Sequence, residues 1–185
     1  MKTKRRRKKI SKYESRKVVS ERIIESTLEL LLKKRPDELS LREIADHAKC
    51  HHPNIVTYFG GKAGLFGVVF RSAAEDLMLR GLPKSFVKVS PELKRLVQLS
   101  VWLGQYSPGF FGKSGNRPIA AMLGSEIEQR YGLSKPYAAL ASQRFVALLT
   151  ALVLSPVVLD VKPAQLRQHY ALELQFLEML ATQSK

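Results

Sequence analysis

The sequence predicts an all-α fold in two parts: an N-terminal three-helix module containing a helix-turn-helix, and a C-terminal helical domain. Two observations support it. Apolar residues recur at three- and four-residue spacing through most of the 185 residues, and glycine or proline ends each periodic segment. The one β-like run, at Val157, Val158 and Val161, has no partner strand, and an isolated strand is not stable. We therefore expect every regular element to be a helix.

Composition limits the class of protein. The chain is 45% hydrophobic, which is enough for one sizeable core. Its net charge of +15 is unevenly spread, because residues 1–17 hold ten basic side chains and one acid, whereas residues 18–80 are balanced. We expect residues 1–15 to form a basic N-terminal arm, which either lies on DNA or remains a solvated tail.

The same composition predicts a cytoplasmic protein with no membrane partner. Cys50 is the single cysteine, so no internal disulfide is possible, as is usual in a reducing compartment. The basic start is not followed by an apolar signal segment. The longest apolar stretch, residues 145–159, is interrupted by Ser155 and Pro156 and is shorter than the ~20 residues that span a bilayer.

Residues 16–80 are predicted to form the first domain. A long helix over about residues 16–34 precedes two short helices. The first short helix begins after Ser40, a preferred N-cap, and Glu43 is placed to complete a capping box. The second begins near His52 and ends at two glycines, and a fourth helix continues to about Arg80.

Residues 81–185 are predicted to form a second domain that binds an effector and dimerises. Gly81 and Pro83 break the chain, and helical periodicity then returns in four segments. These segments are residues 91–106, 118–131, 135–154 and 162–182, with a glycine-rich loop over residues 107–115. The last two helices have broad apolar faces, so we expect them to pack with those of a second copy as a four-helix interface.

The two short helices around a tight corner near Cys50 predict a helix-turn-helix that reads double-stranded DNA. Polar side chains crowd the second helix, and no acid occurs from residue 49 to residue 62. The base-reading candidates are His52, Asn54 and Thr57, since an asparagine amide pairs well with adenine. The phosphate candidates are Ser40, Tyr58, Lys62, Arg16 and Lys17. The alternative for all of them is an ordinary capped, solvated surface.

A long first helix, Ser-Leu-Arg-Glu-Ile-Ala at residues 40–45 and Tyr-Phe-Gly-Gly-Lys-Ala-Gly-Leu at residues 58–65 resemble the DNA-binding half of the tetracycline-repressor (TetR) family of bacterial transcription regulators. The resemblance implies a homodimeric regulator, a repressor on a palindromic operator that a small effector releases. Two positions depart from the family pattern. Lys49 stands where glycine is common, and Val56 replaces a frequent tyrosine, which removes one contact to a phosphate.

The C-terminal half contains candidates for an effector pocket, although residues of these types at helical spacing are more often plain core. The candidates are Trp102, Tyr106, Phe110, Met122 and Phe145. The sequence does not identify the effector.

The sequence offers little support for a metal, a cofactor or an enzyme. Cys50, His51 and His52 are adjacent on a turn and cannot easily converge on one ion. Glu126 and Glu128 lie two apart on a predicted helix and point to different faces. We therefore predict neither metal nor cofactor and no catalysis. The main alternative to a specific regulator is a non-specific nucleic-acid or anionic-surface binder that acts through the basic arm.

Overall fold

The structure, a computed structural model, describes residues 15–80, 89–112, 118–154, 162 and 165–183. Regular structure in these ranges is helical, which confirms the all-α prediction. The arm over residues 1–14, the predicted break at residues 81–83 and the three valines considered as a strand lie outside the described residues.

The helices of the described ranges follow the predicted order. They are α1 Arg16–Leu30, α2 Leu41–His47, α3 His52–Phe59, α4 Lys62–Arg80, α5 Pro91–Tyr106, α6 Pro118–Tyr131, α7 Lys135–Leu154 and α8 Leu166–Gln183. Three features differ from the prediction, one of which is the start of the last helix, which lies at Leu166, four residues later than predicted. The first helix ends four residues early, in a turn where the Lys34 N–H donates to the Leu30 carbonyl at 2.9 Å. The predicted loop after α5 includes a short 3₁₀ helix, Pro108–Phe110.

Serine hydroxyls cap three helix N-termini. Ser15, Ser40 and Ser90 each accept a hydrogen bond from the backbone N–H of the third residue of α1, α2 and α5, at 3.1–3.4 Å. The predicted capping box is half wrong. The Glu43 N–H donates to the Ser40 hydroxyl as expected, but the Glu43 carboxylate accepts from Lys34 Nζ at 2.6 Å and not from the Ser40 N–H. Glu43 thus ties α2 to the turn after α1.

One large apolar cluster holds α1 to α4 together. Ile23, Ile44, Ile55 and Phe66 come from the four successive helices and are fully buried in it. Helix α5 adds three further buried leucines to the same cluster, namely Leu96, Leu99 and Leu103. The first domain therefore packs directly on the helix that begins the C-terminal half.

Two smaller clusters fill the C-terminal half. The first joins α5, α6, α7 and α8 through residues that include Val97, Leu123, Phe145 and Tyr170. The second joins α6, α7 and α8 further along, through Ile127, Ala138 and Leu177 among others. Three long helices thus pack alongside α5 around a core that is divided in two.

Among the described residues one helix, Lys135–Leu154, is long and apolar enough to cross a membrane by length and composition. This segment begins earlier than the apolar stretch at residues 145–159, which is too short by itself. The helix packs against α5, α6 and α8, and a third of its most apolar window is buried in the protein. A core helix passes the same test, so the observation is weak evidence for a membrane segment.

Candidate nucleic-acid interface

The corner between α2 and α3 is fixed by backbone contacts. The Cys50 N–H donates to the Ala45 carbonyl at 3.0 Å, and Arg22 Nε of α1 donates to the Ala48 carbonyl at 2.8 Å. Lys49 has a φ of +49°, the single positive value at a non-glycine position in the described ranges. The family's usual glycine would adopt this left-handed backbone freely, whereas a lysine costs about 1 kcal/mol there.

Helix α3 packs against the N-terminal module through one face only. Ile55 is fully buried and Phe59 is half-buried against the core, whereas Val56 and Thr57 are exposed. Thr57 therefore faces outward as predicted. His52 and Asn54, the other two base-reading candidates, lie half-buried in the first turn.

The start of α1 meets the end of α3. The Arg16 guanidinium lies over the Tyr58 ring, 5.0 Å from its centroid, so two phosphate candidates from distant parts of the chain are brought together. Lys17, one residue on, lies 3.9 Å from Glu21 in an exposed ion pair. The first turn of α1 therefore lies beside the end of α3.

Ser40 and Lys62 are placed differently from each other. The Ser40 hydroxyl is exposed at the start of α2, where it accepts from the Glu43 N–H and retains its own proton for donation. The Lys62 ammonium instead lies 5.3 Å from the ring centroids of both Phe66 and Trp102. Burial lowers the pKa of Lys62, and the Asp37 carboxylate opposes part of that change. A contact between Lys62 and a phosphate would require its side chain to leave these rings.

The charges around α3 favour an anionic partner. No acidic residue occurs between Asp46 and Glu75 in the sequence, and Arg42 and Lys49 are exposed on and after α2. Sequence reasoning did not single out Gly64, yet a Cβ atom there would collide with the Phe59 carbonyl oxygen. Glycine is therefore required at residue 64 because the end of α3 closely approaches α4 there.

The cysteine beside the corner is half-buried and packs against the core, in line with its apolar position in the motif. Burial raises the pKa of the Cys50 thiol, and the neighbouring Arg22 charge opposes part of that rise. Within the described ranges, no group of three or more His, Cys, Asp or Glu side chains is placed to hold a metal ion.

An apolar cavity of about 360 Å³ lies between α4, α5, α6 and α7. Its lining includes Phe70, Val97, Phe111, Ile119 and Leu149. Two hydroxyls, of Ser100 and Thr150, reach the wall, but each donates to a carbonyl of its own helix at 2.7 Å. The cavity is therefore suited to an apolar ligand.

None of the five residues predicted for an effector pocket lines this cavity. Met122 and Phe145 belong to the cluster between α5 and α8. The Phe110 ring covers Gly67, where a Cβ atom would meet it at 2.8 Å. Trp102 and Tyr106 line a second cavity on the other side of α5. The helical period of these residues does not predict which of them border a void, and Tyr106 is largely exposed.

The last two helices present apolar side chains outward. Tyr137 and Leu140 on α7 and Leu172 and Met179 on α8 are each about half exposed or more. Between them, Arg144 of α7 makes two hydrogen bonds to the Glu173 carboxylate of α8, at 3.0 and 3.1 Å. The Arg144 guanidinium also lies 4.2 Å from the centroid of the Phe176 ring.

The chain is similar in fold to solved bacterial regulators over most of its length. A TetR transcriptional regulator from Rhodococcus sp. RHA1 matches with a TM-score of 0.56 and 15% identity, covering 87% of this chain and 97% of that one. A tetR-family regulator from Streptomyces coelicolor matches with a TM-score of 0.54 and 20% identity, covering 91% and 84%. A transcriptional regulator from Pseudomonas aeruginosa PAO1, described as putative, matches with 0.52 and 18%, covering 90% and 93%.

No curated protein matches the chain. The family model for "Bacterial regulatory proteins, tetR family" matches residues 23–69, which run from α1 into α4 and include the corner at Lys49. The sequence motifs, the helix order and this match agree on the same segment. Residues 23–69 therefore form an N-terminal domain of the tetR family of bacterial regulatory proteins.

Proposed function

We propose that this protein is a homodimeric transcription regulator, a repressor, which binds a palindromic operator by placing α3 in the major groove. The observation that carries the proposal is the arrangement of α3, which is anchored by buried Ile55 and presents Thr57 outward in a region without acids. Asn54 and His52, in the first turn, would approach base edges beside Thr57. Repressors of this geometry act by occupying DNA, so no catalysis and no cofactor is involved.

Phosphate contacts would flank the base-reading positions. Ser40 at the start of α2 and Tyr58 at the end of α3 offer hydroxyl donors, and Arg16, which stacks on Tyr58, adds a positive charge. Lys17 lies on the next position of α1. Lys62 would join them when its ammonium leaves the rings of Phe66 and Trp102.

The dimer would form through α7 and α8. Two copies of the outward apolar face, with Leu140 and Leu172 near the Arg144–Glu173 pair, would pack as a four-helix interface. A symmetric pair is required because a palindromic operator presents half-sites roughly 34–36 Å apart. Residues 16–80 and 81–185 would then act as the DNA-binding domain and the effector-binding and dimerising domain of each subunit.

A small apolar effector would bind in the 360 Å³ cavity between α4 and α7. Phe70 of α4 contributes to its wall, so a ligand there touches the helix that carries Lys62 at its start. Preferential binding to a state with the wrong separation of the two α3 helices would weaken DNA binding by population shift. Such a sensor would act in the cytoplasm, where its DNA is.

Selection of bound fragments from random double-stranded DNA tests the proposal. The full chain should enrich one palindromic sequence, and Asn54→Ala or Thr57→Ala should relax the preference at particular bases, each at a cost of about 1–3 kcal/mol. Gln129→Ala, an exposed amide on α6, serves as the matched control and should leave the selected sequence unchanged. Enrichment of no sequence by the unaltered chain would refute the proposal.

The alternative function, non-specific binding through the basic arm, is favoured by the charge of residues 1–17. Competition with unrelated DNA separates the two. A specific regulator retains a preference of roughly 10³ or more for its operator, whereas an arm-driven binder is displaced equally by any duplex.

A further inference from the structure

A second cavity, of about 510 Å³, lies where α5 and the end of α7 meet the loop between α1 and α2. The loop side is formed by Arg35, Pro36 and Asp37. Val101 of α5 lines both this cavity and the apolar one, so the two lie on neighbouring faces of one helix. Unlike the apolar cavity, this one combines aromatic, amide and charged side chains, which is the chemistry of a site for an amphipathic small molecule.

Two aromatic rings form one wall of this second cavity. Trp102 and Tyr106 lie one turn apart on α5, with ring centroids 4.9 Å apart and ring planes inclined by 32°. Both rings line the cavity, and Val101 and Leu154 add apolar surface beside them. A wall of this kind favours a planar ring that can lie against it, since offset stacking of aromatic rings is favourable beyond the area it buries.

The charges on the wall favour an anion. Arg35 Nη2 lies 2.6 Å from Asp37 Oδ2, and Arg35 Nε lies 3.8 Å from Glu38 Oε1, so the charge of Arg35 is compensated. Lys94 of α5 lines the same cavity and forms no ion pair with any residue that the structure describes, which leaves one positive charge. The amides of Gln98 and Gln105, also on the wall, add neutral hydrogen-bond donors.

We propose that this second cavity binds a planar aromatic carboxylate, with its ring against Trp102 and Tyr106 and its carboxylate at Lys94. The ring accounts for the aromatic wall and the carboxylate for the uncompensated charge. Lys94 is exposed, so an apolar ligand would gain no contact from its charge, and an organic cation would be repelled by it. The inference stands apart from the proposed function, because it concerns binding by the chain alone and needs no DNA.

Calorimetric titration of the full chain with 2-naphthoate tests the proposal. We expect saturable binding with a Kd below about 1 mM, the affinity that a ligand of this size reaches with ordinary efficiency. Lys94→Met keeps the length of the side chain and removes its charge, and should weaken binding about tenfold. The neutral amide, 2-naphthamide, should bind the unaltered chain with a similar loss.

Two control variants distinguish this site from the exposed basic surface and from the apolar cavity. Lys135→Met removes an exposed charge at the start of α7 and should leave the Kd unchanged. Ala120→Phe obstructs the apolar cavity and should leave it unchanged as well. The proposal is overturned if 2-naphthoate does not bind, if Lys94→Met binds it as tightly as the unaltered chain, or if Ala120→Phe abolishes binding. Circular dichroism of each variant checks that it is folded.

Discussion

Residues 15–80 and the helices from α5 onwards are built from the same kind of amphipathic helix, yet they pack differently. In the first region, four helices surround one cluster with Ile23, Ile44, Ile55 and Phe66 fully buried. In the second region, the core is divided into two clusters, two cavities flank α5, and apolar side chains face outward on α7 and α8. A rigid part suits the recognition of a fixed surface, whereas a loosely filled part suits ligands and partners that come and go.

Helix α5 connects the two regions. Its leucines at positions 96, 99 and 103 belong to the first cluster, while Leu93 and Val97 belong to the second. Arg95 of the same helix donates from Nη1 to the Leu28 carbonyl of α1 at 3.0 Å. A ligand that displaced α5 would also act on α1 through this hydrogen bond, and α1 supports the corner between α2 and α3 through Arg22.

The largest expected effect is on stability, and it comes from replacing one leucine by alanine in each region. Leu65→Ala, in the first core, should lower the free energy of unfolding by about 3 kcal/mol, because Leu65 is fully buried and its surroundings cannot collapse. Leu149→Ala should cost about 1 kcal/mol, because Leu149 is half-buried and already borders a void. Denaturant unfolding monitored by circular dichroism measures both. Equal losses would contradict the difference in packing.

The second effect concerns dimerisation. Again the same change, leucine to glutamate, is made once in each region. Leu140→Glu places a charge on the outward face of α7 and should raise the dimer dissociation constant about 100-fold or more, since a carboxylate is costly to bury without a partner. Leu79→Glu, at the exposed end of α4, should leave association unchanged. Sedimentation equilibrium measures the two constants. A Leu140→Glu chain that dimerises normally would exclude α7 from the interface.

The third effect tests how far binding in the first region depends on charge alone. Removal of residues 1–12 should lower the salt dependence of DNA binding by about two or more phosphate contacts, at ~0.9 per contact, because this segment is rich in lysine and arginine. The selected operator sequence should persist, since the base-reading positions remain. Binding isotherms over a range of salt concentrations give the slope. A slope equal to that of the full chain would show that the arm does not lie on the phosphates.

The sequence predicted more of the first region than of the second. The cap at Ser40 and the glycines after α3 are local signals, so the bounds of α2 and α3 followed within a few residues. The positions of Arg16 over Tyr58 and of Arg22 on the corner depend on the packing of α1 across α3, which no local pattern encodes. The reach of Lys62 toward Trp102 depends in the same way on α5, 40 residues away in the chain.

The pocket was the least predictable feature. Tyr106 is largely exposed, and for the aromatic residues that do pack inward, small differences in how α6 crosses α5 and α7 decide which of them border a void. Phe110 fills the space above Gly67, so it cannot line the cavity, whereas aliphatic Val97 and Leu149 do. A void is a property of several helices together. Its lining could therefore not be predicted from the composition of any one of them.

The smallest expected effect concerns the corner on which base reading depends. Lys49→Gly removes the strain of a left-handed lysine, and after the greater flexibility of glycine in the unfolded chain is subtracted it should stabilise the protein by about 0.5 kcal/mol. Lys49→Ala is the matched control, because it removes the same charge but retains a Cβ atom and hence the strain. Denaturant unfolding of both variants gives the difference. If alanine stabilises as much as glycine, the effect comes from the charge of Lys49, and the corner stores no strain.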